Sequence, residues 1–570
     1  MSKKTLFGVM GLLIAFVMVV SACAPAAAPA AEQPAAEQPA APAVEQPTAA
    51  PAVEQPAPTV EVKDGKKILR VAYGREIDVL NAFTSQNLCD IEFTMVEGLI
   101  MTDDKNTFIP VLAKEIPTFE NGGIVDKGDG TYDMTWNLQQ DVFWSDGEKF
   151  TSKDVCFTWK YVVSEGSEVY NRDEYLGIKD CQTPDDNTVV FTWDGLYSYY
   201  AGLFEAMLPE HILGKMSAVE ILNYEPYNRG AETIGTGPFK FAEWKAGEYI
   251  RVVRNDKYWR GEQYPLVDEI IFMFIPDDNT RLNALASGEY HYGQINADQV
   301  KNFKADGMRT NSVPSNVVYH FEGNVNTPEN EFLFGDQRVR QALIYAVDRE
   351  SIANDLMDGT VTVAHSPISS ASPFYNQNVT KYEYDPEKAK ALLAEAGWAD
   401  TDGDGILDKD GKPFKFTMLN RAGRADRIAI AEVIQAQFAE IGIQVDFETL
   451  ESAAWTGRWR NKEWQAIVSG WFFGADASLT NTYACDGSNN FTGFCDPELD
   501  KLMRESDTYV EFDKRKPLLD AAQDLLAKDA HSMFIYNTPH ITVVSDKLQN
   551  FRSSGTNLGD FWNVFEWDIK

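Results

Sequence analysis

GTGPFKFAEWKAGEYIRVVRNDKYW, running from Gly235 to Trp259, decides how the rest of the chain is read. Gly235 and Gly237 flank Thr236, so the backbone can turn where a side chain would obstruct it, and Pro238 fixes φ at the start of an extended run. Phe239, Phe241 and Trp244 follow. Gly247 interrupts the run before Tyr249 to Arg254 resume it, and two extended runs about a glycine-containing turn predict a β-hairpin. Asn255-Asp256 then turn the chain into Tyr258-Trp259, whose rings are expected to pack over the hairpin with their polar tips near water. On these residues alone the segment is one hairpin of a large β-rich domain.

Outward from it, size and charge set limits. A chain of 570 residues exceeds the ~250–300 at which a single core stops growing, so at least two lobes are expected. Its formal charge of −35, from 51 Lys and Arg against 86 Asp and Glu, argues against nucleic acid as a partner, because phosphate neutralisation needs clustered cations. A strongly acidic surface suits solubility outside the cell.

The N-terminus agrees with that compartment. Lys3-Lys4 precede an apolar run from Leu6 to Val20 and then Ser21-Ala22-Cys23. Basic head, short apolar segment and small residues predict a secretory leader over 1–22. The run is shorter than the ~18–20 residues a membrane-spanning helix needs. Residues 23–66 follow as a linker, nearly all Ala, Pro, Glu, Gln and Val as far as Pro58, with AAEQPA and APAVEQP recurring. Without aromatic residues or apolar bulk this tract is expected to be a disordered, partly polyproline-like spacer.

The remainder alternates between strand and helix signals. Ile68 to Tyr73 reads as a buried strand, and Tyr132 to Leu138 alternates before Thr151 caps a helix starting near Ser152. Val267 to Ile275 is a further strand, and Asp277 to Thr280 cap a helix ending by Gly288. Val317 to Phe321 is extended, and Asp336 opens a helix with Val339, Ala342, Leu343, Ala346 and Val347 on one face. Asp385-Pro386-Glu387 places an N-cap and a first-turn proline ahead of Ala389, Leu392, Leu393 and Ala396, with Gly397 as terminator. A helix from Asp426 to Ile441 and a strand from Ile443 to Phe447 complete an α/β pattern.

Recognisable catalytic motifs are few. HExxH, GxSxG and Walker A spacings are absent, and Gly235-Thr236-Gly237 lacks the third glycine of a dinucleotide loop. His211, His291, His320, His365, His531 and His540 are scattered singly, and Asp185-Asp186 is one acidic pair among many. No enzymatic activity is expected. The reading from another class is an anchored extracellular hydrolase whose triad is assembled across distance. Asp400, Asp402, Asp404 and Asp408, with Gly405 at the sixth position and the Ile406 carbonyl at the seventh, match a calcium loop. Gly411 stands where a bidentate Glu belongs, so the motif fits both a weak structural calcium site and an acidic turn. No cofactor is otherwise required.

GTGPFKFAEW followed by VVRNDKYW resembles the signature of the extracytoplasmic solute-binding proteins of peptide-type ABC importers, family 5, and the likeness runs from about Ile68 to the C-terminus. It implies a periplasmic-binding-protein-like type II fold of two hinged lobes with an inserted subdomain, the cluster C arrangement. Lobe I would comprise 67–100, 230–307 and 530–570, the insertion 101–229, and lobe II 308–529, with crossings near Val317–Phe321 and Met533–Tyr536. Val20-Ser21-Ala22-Cys23 resembles a lipobox, which implies lipid on Cys23 and residence on the outer face of the cytoplasmic membrane.

The resemblance also implies a ligand site. In peptide-binding relatives a Gly-Trp segment is followed by an Asp that pairs with the ligand's α-amino group, which points to Trp471, Phe472 and Asp476. Asp476 stands five residues after Trp471, farther than in that motif. Asn81 to Ser85 corresponds to the cleft loop after the first strand and adds Thr84 and Ser85. A peptide is the expected ligand, with an oligosaccharide or other small solute as the alternative, since stacked aromatics also suit sugar rings. Membrane permease subunits are the expected partners of a monomer. A Cys485–Cys495 disulfide resembles one in some members and suits the compartment. Cys156 with Cys181 is a second pair, leaving Cys89 free and expected to be buried.

Overall fold

A computed structural model describes residues 65–85, 91–169, 172–422, 424–475, 477–556 and 559–570. The leader, Cys23, almost all of the 23–66 linker, Cys89 and Asp476 lie outside the described residues.

Ten strands form one sheet, in the order Gln444–Leu450, Lys415–Arg421, Ala466–Phe472, Met308–Gly323, Met533–Ser545, Tyr292–Gln294, Ile68–Tyr73, Glu269–Phe274, Tyr249–Arg254 and Phe239–Lys245. The last two are the hairpin read from the signature stretch, paired antiparallel from Phe239–Arg254 to Lys245–Tyr249. Ile68–Tyr73 is central and parallel to Glu269–Phe274, and its side chains are buried on both faces, which is why it reads as a nearly continuous apolar run.

Cores on either side of this sheet divide the chain into two lobes. In the first, Leu69, Val71, Ile250 and Phe272 pack on one face and Ala72, Ile271, Leu285 and Tyr290 on the other. In the second, Tyr319, Phe321, Leu343, Leu393 and Phe438 pack on one face and Val318, Phe374, Leu519 and Phe534 on the other. Two long strands belong to both lobes. Met308–Gly323 begins against the first core at Met308 and ends in the second at Phe321. Met533–Ser545 runs the opposite way, from Met533 in the second core to Val543 in the first.

Their pairing breaks at the crossing. Pro314 faces Pro539, and the next partners are Val318 and Asn537. Proline has no N–H to donate, so two facing prolines interrupt the ladder where the lobes meet. The sequence placed this strand at Val317–Phe321, the apolar part of a longer element.

A third body interrupts the first lobe in sequence, after Ile68–Tyr73 and before Phe239–Lys245. Ile124–Asp126, Thr131–Asn137, Thr188–Asp194 and Ile178–Asp185 form an antiparallel sheet. The helix Ser152–Val163 joins it over a core containing Trp136, Trp144, Phe191 and Trp193. Thr151 and Asp154 form a capping box at its start, with Asp154 Oδ2 accepting from the Thr151 N–H at 2.8 Å. A disulfide between Cys156 and Cys181, with Cα atoms 5.8 Å apart, ties the helix to an edge strand.

Candidate functional site

The signature stretch is a structural joint. Gly237 N–H donates to the Met95 carbonyl at 2.8 Å, and a Cβ on Gly235 would stand 1.9 Å from that same oxygen. Close backbone approach, beyond the turn itself, therefore requires glycine here. Two residues on from Met95, the buried Glu97 carboxylate accepts from Trp259 Nε1 at 2.7 Å, Tyr258 Oη at 2.9 Å and Thr236 Oγ1 at 3.4 Å. Arg260 Nε lies 3.9 Å away. The polar tips of Tyr258 and Trp259 thus meet a buried carboxyl group and not water, because Glu97 needs donors once it is desolvated. Burial raises the Glu97 pKa, against the lowering influence of Arg260 and the three donors.

A cavity of about 730 Å3 opens between the lobes. Asp278 and Asn296 border it from the first lobe, Tyr319, Arg424 and Asp426 from the second, and Tyr536 and Thr538 from the strand that crosses between them. Each polar wall is organised beforehand. Asp426 Oδ2 accepts from Tyr319 Oη at 2.6 Å and from Arg424 Nη2 at 2.8 Å, while Oδ1 accepts from Arg424 Nε at 3.1 Å. Burial would raise the Asp426 carboxyl, but the hydrogen bonds from Arg424 and Tyr319 overcome it and hold the group at about 2. Arg427 lies over the other part of the Tyr319 ring, 4.9 Å from its centroid. Across the gap, Asp278 accepts from Arg281 at 2.6 Å and from Asn296 Nδ2 at 2.7 Å. The cavity therefore presents fixed charges of both signs beside the apolar Leu356, Met357 and Ile295.

Of the residues singled out from sequence, Trp471 and Phe472 fall on opposite faces of one strand. Phe472 pairs with Val317, Trp471 with Val318 and Gly470 with Tyr319, so Phe472 lies on the same face of the sheet as Tyr319 and is 47% exposed, without bordering the cavity. Trp471 turns the other way, stacking on Phe491 at 6.1 Å and leaning on Trp459 at 5.2 Å. Thr84 and Ser85 are buried in a turn whose N–H groups both donate to the Asn81 carbonyl at 3.0 Å, and Ser85 Oγ donates to Asp78. Neither borders the cavity. Cys485 and Cys495 are disulfide bonded, with Cα atoms 4.5 Å apart.

In the acidic loop, Asp400, Asp402 and Asp408 bring one carboxylate oxygen each within 4.8 Å of one another. Asp404 instead accepts from the Ile406 N–H at 2.8 Å, and Asp400 accepts from Gly403 N–H at 2.7 Å and Gly405 N–H at 3.1 Å.

Sequence reasoning missed Asp278, Asn296, Tyr319, Arg424 and Thr538 as site residues and read Asp426 only as a helix start. Each comes from a distant segment, and only the sheet order brings them together.

Comparison with known proteins supplies the class. The family model described as bacterial extracellular solute-binding proteins, family 5 Middle, matches residues 107–493. The oligopeptide-binding protein AppA of Bacillus subtilis is 31% identical over 488 residues, covering 84% of this chain and 87% of its own. The nickel-binding periplasmic protein of Escherichia coli is 29% identical over 372 residues, 64% of this chain and 67% of its own. Among solved structures, Bacillus subtilis AppA in complex with a nonapeptide superposes with a TM-score of 0.70 at 30% identity, covering 89% of this chain and 99% of that one. NikZ from Campylobacter jejuni in complex with Ni(L-His) gives 0.71 at 24% identity, covering 89% and 100%.

The fold is the two-lobed cluster C form of extracytoplasmic solute-binding proteins. The chain belongs to the bacterial extracellular solute-binding proteins of family 5, substrate-binding components of ABC transporters that bind solutes and do not transform them.

Proposed function

We propose that this chain is the receptor of an ABC importer, capturing a peptide between its two lobes and passing it unchanged to membrane permease subunits. The observation that carries this reading is the cavity bordered by both lobes and by the crossing strand. A peptide offers an amine, a carboxylate, main-chain amides and apolar side chains, and the cavity offers Asp278, Arg424, Thr538 and Met357 as counterparts. The likeness to AppA, whose structure holds a nonapeptide, points the same way. The exposed ring of Phe472, on the same sheet face as Tyr319, favours a second reading, an oligosaccharide stacked on it.

Closure is a population shift in which contacts to both lobes favour the shut form. Lipid on Cys23 and the Ala/Pro/Glu/Gln spacer would tether the folded part to the outer face of the membrane while leaving it free to diffuse. Asp400, Asp402 and Asp408 would hold a structural calcium ion, which calcium titration of the melting temperature, with Asp402→Asn as control, tests.

A ligand present at a hundredfold excess over Kd stabilises by about 2.7 kcal/mol. Thermal shift against panels of peptides and oligosaccharides therefore tests the reading. A shift with peptides supports it, a shift only with sugars selects the second reading, and none with either overturns both.

A further inference from the structure

We propose that Asn106 and Asn316 form a catch that positions the inserted body against the crossing strand and so sets how readily the lobes close, an inference that rests on the two-lobed receptor reading above. Asn106 Nδ2 donates to Asn316 Oδ1 at 3.2 Å and Asn316 Nδ2 donates back to Asn106 Oδ1 at 3.0 Å. Both residues are 2% exposed. Each amide carries one acceptor and one donor group, so two facing amides satisfy each other, which neither a carboxylate nor an alkyl side chain reproduces.

Asn316 stands inside the break between Pro314 and Val318, where the ladder is missing. Its backbone bonds are redirected: the N–H donates to the Gly555 carbonyl at 3.2 Å and the carbonyl accepts from the Phe473 N–H at 3.0 Å. One residue thereby joins the C-terminal segment, the end of the strand carrying Phe472, and the inserted body through its side chain. Beside it, Ser315 Oγ and Thr538 Oγ1 are 2.6 Å apart, and Thr538 borders the cavity.

Asn106 is held to meet it. Its φ of 59° is left-handed, a conformation asparagine tolerates, and Asp103 Oδ1 accepts from the Lys105 and Thr107 N–H groups at 2.9 Å to fix the loop. The inserted body reaches the second lobe again close by, since a Cβ on Gly474 would lie 3.2 Å from Tyr199 Oη. Movement of the crossing strand is thus transmitted to the inserted body at a buried, directional contact.

The test is a double-mutant cycle read as distance. Dyes on an unnatural amino acid at the exposed positions 179, in the inserted body, and 501, in the second lobe, report separation in the ligand-free full chain. Asn106→Ala and Asn316→Ala are each expected to enlarge the long-distance population by about two-fold or more, and the double variant no further, because one contact is lost in every case. Asn106→Ala leaves both backbone bonds of Asn316 in place, so its effect is free of damage to the crossing strand, and Asn106→Gly, which keeps the left-handed φ without strain, must reproduce it if loss of the contact is the cause. An unchanged distribution in Asn106→Ala, or effects that sum in the double variant, overturns the proposal. No peptide is used, so this outcome is separate from success or failure of the peptide reading.

Discussion

Gly470 lies directly across the ladder from Tyr319, and a Cβ added to it would stand 2.8 Å from Tyr319 Cδ1. The ring occupies the space a side chain would take, and from there its hydroxyl reaches Asp426 at 2.6 Å. On its other side it meets Tyr536, 5.4 Å between centroids. A glycine in the middle of the second lobe therefore sets the polar wall of the interlobe cavity.

Gly470→Ala is expected to push Tyr319 off this seat. Overpacking a filled site costs about 1–3 kcal/mol, and moving the hydroxyl breaks its bond to Asp426. Denaturant unfolding should show the loss, and ligand affinity should fall with it. Unchanged stability and affinity would mean that the ring accommodates the methyl group elsewhere.

Glu97→Ala removes the acceptor shared by Trp259, Tyr258 and Thr236. Tyr258 and Thr236 are buried, and each buried donor left unpaired costs about 1–3 kcal/mol, so the variant should be strongly destabilised. Glu97→Gln keeps the shape and changes the pH response. The folded pKa of Glu97 is raised, so its contribution is greatest at acid pH and is lost as pH rises through that value. A melting curve against pH should be flatter at its acid end in Glu97→Gln than in the parent chain.

His531 gives the opposite sign. Burial lowers its pKa to about 4, and its ring contacts Ser532 Oγ at 3.1 Å beside the buried Glu322, which accepts from Ser532 at 2.8 Å. For Glu322, burial opposes ionisation, yet His320 at 3.3 Å and Ser532 hold its pKa down. Both groups favour the folded state at neutral pH. The His531 contribution is lost as pH falls from about 6.5, its unfolded value, towards the folded one. The Glu322 contribution is lost below the ordinary carboxylate range. His531→Gln should move the acid unfolding midpoint to lower pH, and an unmoved midpoint would place the acid-sensitive group elsewhere.

Opening the Cys485–Cys495 bridge should loosen the loop beside Phe491 and Phe494. A disulfide closing a short loop contributes on the order of 2 kcal/mol. Cys485→Ser with Cys495→Ser should lower the melting temperature accordingly, with the first lobe unaffected in hydrogen exchange.

Where signals are local, the sequence was readable. Ile68–Tyr73 has the limits its apolar run suggests, and Asp385, Pro386 and Gly397 bracket a helix observed from Pro386 to Glu395. The hairpin at Phe239–Arg254 is equally plain. The cavity was not readable, because Asp278, Tyr319, Asp426 and Thr538 lie on four segments joined only by a sheet whose order departs from chain order. Asp278 and Asp426 also sit in the first turns of their helices, where an acid needs no other explanation. Trp471 and Phe472 illustrate the remaining difficulty: neighbours on a strand point to opposite faces, and composition does not say which one shares the face of Tyr319.

Lobes that shut on a peptide and release it intact should bind it saturably and leave its mass unaltered. Calorimetric titration of the full chain with a nonapeptide library, followed by mass analysis of the recovered peptides, measures both. Saturable binding of one peptide per chain, with a negative heat-capacity change and every recovered mass unaltered, is the expected result. Absence of saturable heat, or recovery of shortened peptides, would contradict it.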